Sequence, residues 1–99
     1  PTQALYLLNS PFVIEQSQRF ADRVLARTDL NEAGRAELAY RLAISRSPTP
    51  EESERALDFI RTTTASLEKG SSTASSASNG AWSAFCQSLL ASSEFRYID

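Results

Sequence analysis

Histidine is absent from the 99 residues, and cysteine occurs once, at Cys86. The first absence removes the commonest general base and the usual metal ligand. A single cysteine excludes an internal disulfide, so the fold must hold by packing. It does not fix the compartment. Charge of one sign is also scarce: ten Lys and Arg stand against twelve Asp and Glu, a net charge of −2. With a pI near 5.1, the chain lacks the basic character expected of a nucleic-acid-binding domain. No apolar run approaches membrane-spanning length, and residues 4–8 are too short and lack the basic flank of a signal peptide. The chain opens directly on Pro1-Thr2-Gln3 and reads as a piece of something longer.

What is present is helical patterning and proline punctuation. Hydrophobic residues make up 41% of the chain, enough for one core at this length. Residues 38–44 are apolar except for Arg41, which predicts a central helix buried on most sides. Pro48 pushes Ser47 out of the helical region. Thr49 then reads as an N-cap, with Pro50 at the first helical position and Glu51 and Glu52 in the first turn. Thr49 and Glu52 have the spacing of a reciprocal capping box. One helix therefore ends near Ser45 and Arg46, and another leaves from Thr49. This signal is architectural and carries no chemistry.

The remainder follows the same grammar. A short helix is expected over 2–8, stopped at Asn9, with Ser10-Pro11 opening a second over 11–27. Val13, Ser17, Phe20 and Val24 keep helical spacing, widened by Phe12, Ala21 and Leu25. Asp29 and Glu32 have capping-box spacing, with Asn31 as a competing cap. The helix over 30–45 passes through Gly34 at a cost of roughly 1 kcal/mol relative to alanine. A helix over 50–68 buries Ala56, Leu57, Ile60, Thr64 and Leu67, and Thr62, Thr63 and Thr64 predict that it frays or stops early. Residues 70–80 read as a flexible Ser/Thr/Gly-rich loop. The last helix, 81–93, carries a seam of Trp82, Phe85, Cys86, Leu89 and Leu90. Beyond it, Phe95, Tyr97 and Ile98 alternate and are expected to fold back over the bundle. The fold class is all-α, a single domain over 1–99 of four to five helices.

The candidate sites are few. Cys86 on an apolar seam reads as a core residue rather than a nucleophile. The serines have no base beside them. Glu51 and Glu52 point in different directions on a helix and complement its dipole. Arg19, Arg23 and Arg27, four apart, suggest either a phosphate-binding row or a solvated face balanced by Glu15 and Asp22, and the second is favoured. Arg41 and Arg46 each call for a partner, and at least one is expected to pair with a carboxylate such as Glu52 or Glu94. Trp82 fits the core, which leaves Tyr97 as the better contact for a partner. No catalytic, cofactor-binding or metal-ligating residue is assigned, and no cofactor is expected.

The segments Leu-Asn-Ser-Pro-Phe-Val (8–13), Arg-Ser-Pro-Thr-Pro-Glu-Glu (46–52) and Glu-Phe-Arg-Tyr-Ile-Asp (94–99) together resemble the domain of unknown function 1553 family. That family is the C-terminal domain of large planctomycete proteins, some of which also carry a cytochrome c domain. The resemblance departs at Ser45, where the family pattern has glycine. It implies a C-terminal fragment of an exported protein, periplasmic or at the cell surface. Its expected partners are the other domains of the same protein or a separate protein, without nucleic acid and without membrane insertion. The chain has no Cys-x-x-Cys-His, so it does not itself attach haem. Three functions follow in order: a structural or interaction domain without chemistry of its own, the helical part of an enzyme or redox assembly whose site lies in other domains, and nucleic-acid binding through the arginine row.

Overall fold

The computed structural model describes residues 10–70 and 73–98, with side chains described through Ser92. Four helices follow one another: α1 (Pro11–Ala26), α2 (Glu32–Ile44), α3 (Pro50–Lys69) and α4 (Ala74–Ile98). No strand occurs among the described residues, so the all-α reading holds. The helix expected over 2–8 lies outside the described residues.

Each start has a local cause. Ser10 is extended and Pro11 takes the first helical position of α1, where its missing N–H costs nothing. The choice of cap for α2 falls to Asn31, whose side chain accepts the Gly34 N–H at 2.8 Å. Asp29 is occupied elsewhere, accepting from Arg27 Nε and Nη2 at 2.9 and 2.8 Å. At the start of α3 both halves of the capping box are formed: Thr49 Oγ1 accepts the Glu52 N–H at 3.2 Å, and Glu52 Oε1 accepts the Thr49 N–H at 2.9 Å. The end of α1 is finished by a residue from the next helix. Arg35 donates to the carbonyls of Leu25 and Arg27, each at 3.4 Å, placing a cation on the negative end of the helix dipole.

Two boundaries differ from the sequence reading. The three threonines do not end α3, which runs on to Lys69. Thr63 and Thr64 are half-buried, and tertiary packing against α4 outweighs a propensity deficit of a few tenths of a kcal/mol per residue. The expected loop over 70–80 is mostly helix: α4 begins at Ala74, and Thr73 Oγ1 accepts the Ser76 N–H at 3.1 Å as its cap. Serine, alanine and glycine give this stretch the composition of a loop. Yet Ala77 and Ala81, four apart, are fully buried. Small side chains here let α4 press closely on its neighbours, and a Cβ added at Gly80 would lie 2.9 Å from Leu67 Cδ1. At its other end α4 continues to Ile98, and the side chains of Phe95, Tyr97 and Ile98, expected to cover the bundle, lie outside the described residues.

The helix at the centre is α4, which corrects the expectation for α2. It contacts α1, α2 and α3, whereas α1 and α3 do not touch each other. Its seam supplies Trp82, Phe85 and Cys86 to the core, with Leu89 packed against it. The Phe85 ring is the hub of an aromatic cluster, 6.0 Å from Trp82, 6.0 Å from Tyr40 and 6.1 Å from Phe59 between centroids. The Trp82 pair is edge-on at 83°, the geometry that ring quadrupoles favour. From α1 come Ala21 and Val24, and from α3 Ala56 and Ile60. In α2 only Ala36, Ala39 and Tyr40 are buried, while Leu42, Ala43 and Ile44 are half-buried. Its apolar run marks a helix laid along an edge of the core. Leu67 is 36% exposed, so the buried stripe expected of α3 stops short of it. Among the described residues no helix is long and apolar enough to cross a membrane.

Candidate functional site

The densest polar arrangement lies at the corner between α2 and α3. Its geometry begins with Ser45, which ends α2 in the left-handed region at φ 61°, ψ 28°. It is the one non-glycine residue with positive φ among those described. An L-residue is strained there, which is why glycine is the commoner choice at such a stop. The reversal throws Arg46 back across the start of α3. Its Nη1 donates to Glu52 Oε1 at 2.7 Å and its Nη2 to Glu52 Oε2 at 2.8 Å, a two-pronged pair. Nη1 also donates to the Ser47 carbonyl at 3.1 Å. The guanidinium lies 5.7 Å from the centre of the Tyr40 ring, within the range of cation–π attraction. Arg46 therefore ties the end of α2, the link and the first turn of α3 together.

The electrostatics follow from these contacts. The Arg46 pair, and then the Thr49 N–H, hold the Glu52 carboxyl down at about 2. The same pair pushes the Arg46 guanidinium up. Burial, and next the negative Glu52, push the Tyr40 phenol up. These groups therefore keep one charge state through the neutral range. The corner is a latch, with its carboxylate committed to three donor nitrogens, two from Arg46 and one from the Thr49 backbone.

Beside it, Arg41 donates to Glu37 Oε2 from Nε at 3.1 Å and from Nη2 at 2.9 Å, and Nη2 also reaches Ser47 Oγ at 3.1 Å. Arg41 is exposed, so it does not break a buried run. It pairs one turn back along its own helix. The expected partner for at least one of these arginines is found in Glu52, bound to Arg46.

The arginine row divides. Arg19 pairs with Glu15 at 3.2 Å, and Arg27 lies past the end of α1, forked onto Asp29. Cys86 is fully buried, and desolvation pushes its thiol up to about 12. It is thus held in the unreactive protonated form. Trp82 is in the core at 1% exposure. The side chain of Tyr97 lies outside the described residues. Among the described residues no three His, Cys, Asp or Glu gather in a way that could hold a metal ion. An open groove of about 410 Å³ between α1 and α4 is lined by Gln18, Asp22, Leu25, Ser76, Asn79 and Ser83, among others.

Sequence reasoning missed two contacts: the Arg46–Tyr40 stacking and the Arg35 cap on α1. The first had a faint signal in an aromatic six residues before a cation at a helix stop. The second spans ten residues and two helices, and no local spacing announces it.

No curated protein and no solved structure matches the chain. The family described as PSD1, protein of unknown function (DUF1553), matches residues 1–60. That span takes in α1, α2, the Arg46–Glu52 latch and the first half of α3. By that match the chain belongs to the PSD1 family of proteins of unknown function (DUF1553).

Proposed function

We propose that the chain is a structural, interaction-bearing helical domain of a larger exported bacterial protein, with no chemistry of its own. The observation that carries this reading is the engagement of Arg46 with Glu52, Ser47 and Tyr40. The most concentrated polar chemistry of the described residues is spent on fixing the angle between two helices. Cys86, the strongest potential nucleophile by residue type, is buried and protonated, in keeping with the same reading. The partners we assign are the other domains of the same protein. Export and a planctomycete setting with a haem domain nearby rest on the sequence resemblance. An enzymatic role would need Arg41, Arg46 or Tyr97 to reach into a cleft between domains; the two arginines are already bonded within the corner, and the side chain of Tyr97 lies outside the described residues.

The test uses the full-length protein with a protease site placed in an exposed linker before this domain. After cleavage at micromolar concentration, the domain is expected to remain with the remainder through size-exclusion chromatography. Separation of the two pieces would overturn the docking role. If Arg46→Ala lowers turnover of a full-length activity while association and melting temperature stay unchanged, the domain contributes chemistry and the reading fails.

A further inference from the structure

We draw no further inference here: the strongest candidate, the exposed apolar surface of Phe12 and Ile14 in the first turn of α1, carries nothing because no observation in the structure shows what covers it.

Discussion

Arg46 and Glu52 meet through two parallel hydrogen bonds of 2.7 and 2.8 Å, and the same Glu52 closes the capping box with Thr49. One carboxylate thus serves a helix start and an interhelical pair at once. The two functions are coupled, because the Thr49 N–H and the guanidinium share Oε1. Replacing Arg46 by Lys keeps the charge but removes the planar fork, so Arg46→Lys should lower the melting temperature. Glu52→Gln should lower it further, since the cap loses its charge too. In the double variant the loss should be smaller than the sum of the two, as expected for residues in direct contact. Additive losses would mean that the pair contributes nothing as a pair.

The depressed carboxyl of Glu52 sets a pH dependence. Its ordinary value is 4.5 and in the folded chain it lies at about 2. A carboxyl held low in the folded state favours folding above its unfolded value, and that contribution fades as pH falls from about 4.5 toward 2. Urea melts at pH 6, 4, 3 and 2 should show this decline in the native chain. In Glu52→Gln the slope over that window should be shallower. Equal slopes would place the acid sensitivity elsewhere.

Ser45 stands in the left-handed region, where an ordinary side chain costs roughly 1–2 kcal/mol. Ser45→Gly should therefore stabilise the fold by up to about 1 kcal/mol, the gain reduced by the greater freedom of glycine in the unfolded chain. Ser45→Val, with a branched Cβ, should destabilise it. Denaturant midpoints at constant m-value would check both signs. A neutral glycine variant would show that the corner relaxes without strain.

Trp82 packs edge-on against Phe85, the hub of the aromatic cluster, at 1% exposure. Trp82→Ala should cost about 3–5 kcal/mol, a large share of the 5–15 kcal/mol typical of small domains. Its neighbour Cys86 should resist a thiol reagent at pH 8 in the folded chain and react at once in denaturant. Rapid labelling of the native protein would contradict the burial of the seam.

Much of this architecture was legible from local chemistry. Thr49, Pro50 and Glu52 declare the start of α3 in their spacing, and the Trp82–Phe85–Cys86–Leu89 seam is a helical stripe by inspection. The partner of Arg46 was legible as well, because the capping-box carboxylate stands next to a helix stop. Residues 74–80 were not. Loop-like composition and a tightly packed helix end use the same small residues, and only the neighbouring helix decides between them. The central place of α4 over α2 was hidden for a related reason: apolar content says that a face is covered, not how many helices cover it. Arg35 at the end of α1 depends on a contact across two helices, which no window of sequence contains.

Gly80 offers a direct check on that reassigned stretch. The nearest atom to an added Cβ is Leu67 Cδ1, the tip of a flexible, partly exposed side chain that can turn aside. Gly80→Ala should then be neutral or stabilising by somewhat under 1 kcal/mol, as the helix gains propensity. Amide exchange at Ala77 and Ala81 should be slow. Fast exchange at both would return the stretch to a loop.

The position of α4 in the chain has a consequence for how the domain comes to exist. The helix that the other three lean on is made after all of them. Until it leaves the ribosome, α1 and α3 touch only α2, Val24, Tyr40 and Ile60 lack the largest surface they close against, and the nascent chain is an open clamp of greasy helices. Its assembly must wait for distant contacts, so shortening the chain before Trp82 should leave an aggregation-prone remnant instead of a smaller domain.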